Sequence, residues 1–477
     1  MRAGNVKATG YERSEAMGRE AISKLLLRFS VPAIIAAETA AGYNLFDAIW
    51  CGRLGTEALA ALTVASPLMV IYRAIGSGIG VGAASLIARH LGAGKKEEAN
   101  RAACCSISLF FILSGLVTII CLMNLETLLR LFGADDSVLP FAESYMLVET
   151  YSLALDFFLV VLVDLVRVEG RPMLANASMI TASIADLIWS PILVFGIGPF
   201  PALGIAGAAL GTTIGRGIGV SVLLIYLGLG KSIYQFKPSY FLPNLKTVTE
   251  IYGVGISQTV RASGASISQI LASRVAASFG VIPLAVLGVL MKVNMIVFAF
   301  CIGIGQGMLP LVAYNFAAQK KERVGELVVK AGLTSTVWGA LWWVVATLFS
   351  TQVMSVFSTD PDFLTGGPPA LHMFALGFFT IGLQQNLSSF FQGIGKAVPS
   401  LVVASSRHII FLIPCLLIMP SIFGLTGLWA AYPVADALSV VLTLTWTGIA
   451  FRSLKIPFRL TAGRRLPRAA LSRNSQL

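Results

Sequence analysis

The feature that most constrains this chain is a series of apolar stretches that begins near residue 29 and continues to residue 450. A helix that spans a bilayer needs about 20 such residues. The stretches fall near 29–51, 58–88, 102–124, 139–165, 173–197, 203–229, 249–278, 283–314, 331–350, 366–391, 399–422 and 424–450. They predict an all-α polytopic membrane protein with 12 transmembrane helices, called spans 1 to 12 below. Composition agrees, since 56% of the 477 residues are hydrophobic and only 12% are charged. A soluble domain carries about 25% charge. So little charge excludes a soluble enzyme, a nucleic-acid reader and a disordered chain.

The net charge of +12 is explained by where the basic residues sit. The N-tail, the loops after even-numbered spans and the C-tail hold 27 of the 35 Lys and Arg. The loops after odd-numbered spans hold Arg53, Arg130 and little else. Cytoplasmic loops carry the basic excess in membrane proteins. Both termini are therefore expected in the cytoplasm, in a cell (plasma) membrane. The six cysteines lie in or beside apolar runs, with no spacing that suits zinc or a disulfide framework.

The chain repeats itself. Residues 78–97, GIGVGAASLIARHLGAGKKE, match residues 303–322, GIGQGMLPLVAYNFAAQKKE, at ten of twenty positions with an offset of 225. Gly55 and Gly170 meet Gly280 and Gly395 at that offset, and Gly204 and Gly207 meet Gly424 and Gly427 at 220. Spans 1–6 and 7–12 are thus two parallel copies, an arrangement that transporters use. Five segments follow: an N-terminal tail (1–28), a first lobe (29–229), a polar, proline-bearing linker (230–248), a second lobe (249–450) and a basic C-terminal tail (451–477).

Charges inside spans are costly and default to function. Asp47 has Tyr43, Asn44 and Trp50 on its helix face. Its duplicate is Ala272, so the fold does not demand an acid there. A poorly solvated carboxylate favours its neutral form, which suits proton exchange. Asp186 lies in SIADLIWSPIL, with Ser190 four residues on. Tyr145, Glu149 and Asp156 form a polar stripe along span 4. That stripe either makes an acidic cavity for cations or pairs with Arg73 or Arg216. Gln306 stands where the first copy has Val81, and is expected to face the cavity. Six of seven span acids lie in the first lobe, so the lobes are chemically unequal. GIGVGAAS lacks the GxxxxGK[ST] pattern, which argues against an ATP-driven pump.

GYNLFDAIWCGRLGTEALAALTVASPLM (42–69), GIGVGAASLIARHLGAGKKEEANRA, FQGIGKAVPSL (391–401) and GLTGLWAAYPVAD (424–436) together resemble the multidrug and toxic compound extrusion (MATE) family. The likeness covers residues 25–450, and the confinement of acids to the first lobe resembles the prokaryotic DinF-like branch. It implies two pseudo-symmetric six-helix lobes forming a V that alternates its opening. It also implies export of organic cations or amphipathic drugs and metabolites in antiport with H⁺ or Na⁺. On this likeness Asp47 falls on the family's first-helix aspartate, the proton or sodium site. The family's fifth helix has an Asn and, four residues on, an Asp just before Pro; anchored on Pro191 those positions are Asp186 and Ser190, so the acid is displaced by one turn. Thr212 and Tyr145 match a sixth-helix hydroxyl and a fourth-helix tyrosine, and Lys292 and Arg407 match basic positions. The substrate cavity is expected from Asn44, Glu149, Asp156, Gln306 and Lys292. A monomer is expected, with no cofactor beyond the transported H⁺ or Na⁺ and no nucleic-acid partner. A lipid-linked oligosaccharide flippase of the same superfamily is the alternative, and would carry a basic cavity and extra spans. An embedded enzyme lacks support, because no paired motif such as HExxH occurs and catalysis does not explain the repeat.

Overall fold

The computed structural model describes residues 12–458 except Lys231 and Thr359. The rest of the expected tails, 1–11 and 459–477, lies outside the described residues. The described chain is helical throughout, joined by short loops. Spans 1, 2 and 3 are Ile22–Leu54, Thr56–Gly92 and Lys96–Met123, and spans 5 and 6 are Pro172–Phe195 and Ile205–Gly228. Spans 7, 8 and 9 are Leu245–Ser278, Val281–Ala317 and Lys321–Leu348. Span 4 is two helices, Leu139–Tyr151 and Leu153–Val168, bent by 46° at Ser152. Span 10 is also two helices, Pro361–Ala375 and Phe378–Gly393. Spans 11 and 12 run as Ala397–Ser405, a π turn Ser406–Leu412 and Ile413–Leu454, divided where Gly424 leaves helical geometry.

Among the described residues seven helices are long and apolar enough to cross a membrane, eight with the bent pair taken as one span. The stretch from Ala397 to Leu454 holds two spans, parted at Gly424. Spans 1 and 7 have 33 and 34 residues, ample length for a bilayer, but carry internal charges such as Asp47 and Arg261. Broad apolar stripes face outward, as in span 3, where Ile112, Leu116, Ile119 and Ile120 are exposed. Such stripes suit lipid. The chain is a multi-pass membrane protein of 12 spans in two lobes.

The repeat is visible in the backbone. Gly55 and Gly280 have φ of 138° and 122°, Gly170 and Gly395 of 89° and 72°, and Gly204 and Gly424 of 56° and 60°. Gln319 takes a φ of 58° where the first copy has Gly94 at 75°. Side chains are disfavoured in this left-handed region, so glycine recurs there.

Small residues also set how the lobes meet. Gly78 packs on Gly255 and Thr259 of span 7, and Gly82 on the Ile251 carbonyl. Their duplicates Gly303 and Gly307 pack on Ile34 and Ser30 of span 1. A side chain at any of these four positions would strike the other lobe. Gly80 and Gly305 instead face inside their own lobes, towards Asp164 and Ser389. One duplicated motif therefore builds both the lobe–lobe seam and each lobe's interior by close helix approach.

The helix of span 1 begins at Ile22 and not at residue 29, and Leu25, Leu26 and Phe29 are already buried. Residues before it form a strap between the lobes. The Met17, Gly18 and Glu20 carbonyls accept from Asn315, Lys320 and Arg323 of the second lobe, at 3.0, 2.9 and 2.6 Å. Arg13 meets Gly170 in the first lobe. The linker packs on the first lobe: Gln235 N–H donates to Asn100 Oδ1 at 3.1 Å, and Tyr234 Oη donates to the Leu165 carbonyl at 2.9 Å.

Candidate substrate cavity and coupling site

Between the lobes lies a cavity of about 490 Å³. Spans 1, 2, 4, 5 and 6 line one wall and spans 7, 8 and 10 the other. The seam of glycines closes it on the face that bears the 2–3 and 8–9 loops. There Ser85 Oγ also donates to the Gln392 carbonyl at 2.5 Å, and Gly92 abuts the Tyr314 backbone.

The first wall carries the acids. Asp186 lines the cavity and is 2% exposed. Ser190, one turn on, donates to its Oδ1 at 2.7 Å. The other oxygen, Oδ2, is buried with no hydrogen-bond partner among the described residues. Thr212 adjoins the same carboxylate and donates its own hydroxyl to the Ala208 carbonyl at 3.2 Å. Asp47, buried on span 1, lies against Ser190 and faces Asp186. Gly211 and Gly215 of span 6 sit directly on Ser190 and Asp186, which brings spans 5 and 6 close enough for this cluster. The structure thus brings together Asp47, Asp186, Ser190 and Thr212. Tyr145 is buried nearby, within the field of Glu149 and Asp47. The side chains of Tyr43 and Asn44 lie outside those described.

Two expectations about the cavity need correction. Glu149 and Asp156 do not offer free negative charge. Arg216 of span 6 reaches both, with Nη1 at 2.9 Å from Glu149 Oε2 and Nε at 3.1 Å from Asp156 Oδ1. Arg73 adds a longer contact to Asp156 at 3.9 Å. The pairing alternative therefore holds, because two buried carboxylates need a compensating cation. Asp156 still lines the cavity, whereas Glu149 lies behind it. Lys292 is not on the facing wall. It is exposed on the outside of span 8, with its ammonium 5.6 Å above the Phe357 ring. Gln306 does line the cavity, as expected.

The second wall holds residues to which the sequence assigned no role. Gln258 and Arg261 of span 7 and Gln385, Ser389 and Gln392 of span 10 join Gln306 there. Their signal was polar spacing within apolar runs, three apart in span 7 and four and three apart in span 10. Arg407 sits in the π turn and pairs with Asp436, its Nε at 2.6 Å from Oδ1. Asp164 and Arg167 form a local pair at 2.6 Å.

The MatE family model matches residues 32–192 and 263–417, one segment in each copy of the repeat. The chain belongs to the MatE family. Multidrug export protein MepA of Staphylococcus haemolyticus is 23% identical over 424 residues, covering 89% of this chain and 92% of that protein. An FAD transporter of Shewanella oneidensis is 25% identical over 421 residues, covering 87% and 92%. The crystal structure of MATE in complex with MaL6 superposes with a TM-score of 0.87 at 23% identity, covering 92% of this chain and 98% of that one. This MATE chain is a membrane transporter of small molecules, and its two-lobe fold is that of solved MATE structures.

Proposed function

We propose that this chain is a secondary-active exporter that exchanges amphipathic drugs or metabolites for inward H⁺ or Na⁺. It acts as a monomer in the plasma membrane with both termini in the cytoplasm, and needs no cofactor beyond the transported ion. The observation that carries this reading is the Asp47–Asp186–Ser190–Thr212 cluster, whose Asp186 and Thr212 line the inter-lobe cavity. Two carboxylates and two hydroxyls supply the oxygen ligands that suit a hard cation, and an adjacent carboxylate pair equally suits one shared proton. The MepA relative supports drug export, and the FAD-transporter relative supports metabolite export. The DinF-like branch rests on the acidic first lobe alone.

The positive-inside rule places the sealed face in the cytoplasm, so this is an outward-facing state. In it the cluster loads an ion and substrate leaves. In the opposite state the ion leaves and the cavity accepts substrate. Exchange follows because ion and substrate favour different states. Organic cations were the expected cargo of an acidic stripe. The ion pairs of Glu149 and Asp156 remove that ground.

Proteoliposomes under separate H⁺ and Na⁺ gradients test the proposal. Substrate efflux driven by one gradient and lost with Asp47→Asn is the expected result. Gradient-independent flux, or native flux in Asp47→Asn, overturns it.

A further inference from the structure

Four arginines and three aspartates line the cavity. Three of the arginines are tied to acids: Arg73 and Arg216 to Asp156, and Arg167 to Asp164. Arg261 is the exception. No carboxylate lies within ion-pair distance of it among the described residues. Its Nη2 donates to Gln258 Oε1 at 2.5 Å, and its Nη1 is buried with no hydrogen-bond partner among them. The charge that acts on it is a second cation, Arg407, itself held by Asp436.

Arg261 is half-buried; a guanidinium does not shed its proton, and holding one in a poorly solvated cavity without a counter-charge is costly. The fold does not require it either. At the repeat offset of 225 its counterpart is Ala36, which is buried at the equivalent place in span 1. The neighbours on this wall are Gln258, Gln306, Gln385, Ser389 and Gln392, with no acid among the lining residues of spans 7, 8 and 10. Amides, a hydroxyl and a forked guanidinium make a donor-rich surface suited to phosphate or carboxylate oxygens. Val70, Val81, Leu159 and Val160 of the opposite wall supply apolar contact.

We propose that Arg261 is the anion anchor of the cavity, and that the transported substrate is an amphipathic organic anion bearing a phosphate or carboxylate. The substrate's charge lies on the second wall, while the coupling ion occupies the first. Ion and substrate therefore do not compete for one charge, and coupling runs through the state the lobes adopt. The inference rests on the transport reading only for the direction of movement.

The test is equilibrium binding without any gradient. Full-length protein in zwitterionic-lipid nanodiscs is titrated with carboxyfluorescein, an anion, and rhodamine 123, a cation of similar shape, with fluorescence anisotropy as readout. The native chain is expected to prefer the anion. Arg261→Gln weakens carboxyfluorescein roughly tenfold to hundredfold, the range for a lost charged hydrogen bond, and leaves rhodamine 123 unaffected. Arg261→Lys retains most of the binding. Arg261→Glu reverses the preference, a gain that misfolding cannot produce. Repeating the titration in discs with phosphatidylglycerol separates the sources. Unchanged affinity assigns the anchor to a soluble anion, and competition assigns it to a lipid headgroup. Native anion affinity in Arg261→Gln, or unreversed preference in Arg261→Glu, overturns the proposal. Anion binding that depends on Arg261 without gradient-driven flux would sink the exporter reading and leave the anchor standing.

Discussion

Removing the Arg216 side chain should damage this protein more than removing all the charges it holds together. The side chains of Arg216 and Glu149 are each 6% exposed, and that of Asp156 is 16% exposed. Arg216→Met keeps the apolar stem and deletes the charge. Two buried carboxylates then face each other, with only Arg73 at 3.9 Å from Asp156. Breaking a buried pair from one side costs about 3–5 kcal/mol, whereas replacing the whole set by neutral groups is often close to neutral. For a lobe of this size that cost corresponds to a fall of roughly 6–20 °C in the unfolding midpoint. Adding Glu149→Gln and Asp156→Asn should restore most of the loss. The assay is already built in: five of the six cysteines are buried and all are free. A thiol-reactive fluorophore in detergent therefore reports unfolding of single, double and triple variants on one scale. An Arg216→Met protein that melts within a degree of native would refute the idea of a structural ion network. So would a triple variant that melts below the single one.

Other perturbations probe the cycle. Asp47→Asn should fold, reach the membrane and bind substrate, yet show no gradient-driven efflux in proteoliposomes; native efflux would move the coupling site elsewhere. Gly82→Val places a side chain against the Ile251 carbonyl. It should force apart the seam between spans 2 and 7, read as a longer spin-label distance across it; an unchanged distance would mean that the seam tolerates bulk. Arg323→Ala removes the donor to the Glu20 and Met17 carbonyls at 2.6 and 3.2 Å. It should weaken the strap by about 2 kcal/mol, and amide exchange at Met17–Glu20 should rise while the rest of span 1 keeps its protection.

The twelve spans and the repeat were legible because hydropathy and glycine spacing are local signals. Matched left-handed glycines such as Gly204 and Gly424 then appear in the backbone. The bend at Ser152 was not legible, since no proline or glycine marks it. The Arg216 pairs join residues 67 and 60 positions apart in different helices, so composition offered candidates and only packing chose between them. Lys292 shows a different limit. The outward stripe of span 8 is Leu284, Ala285, Gly288, Met295 and Ile296, and the inward one is Val286, Leu287, Val289, Leu290 and Val293. Both are apolar, because lipid and protein interior make the same demand, and nothing in the pattern says which face a lysine joins.

The repeat also separates charges that hold the fold from charges that serve transport. Arg216 and Asp436 are 220 residues apart, the offset that relates Gly204 to Gly424. The two copies thus place opposite charges at one position of their last spans. Each is neutralised within its own lobe, Arg216 by acids of span 4 and Asp436 by Arg407 of span 11. A sign reversal tolerated in this way marks structural pairing, since only the local sum must vanish. Asp47 and Arg261 behave otherwise. Their counterparts are Ala272 and Ala36, both buried and apolar, so the fold is satisfied without either charge. Neither forms an ion pair among the described residues, and they belong to opposite lobes, Arg261 lining the cavity and Asp47 beside the cavity-lining Asp186. A pair would have to be broken each time the lobes part, at several kcal/mol. Unpaired groups avoid that cost and remain open to a mobile ion on one wall and a substrate charge on the other, which is what alternating access between unequal lobes requires.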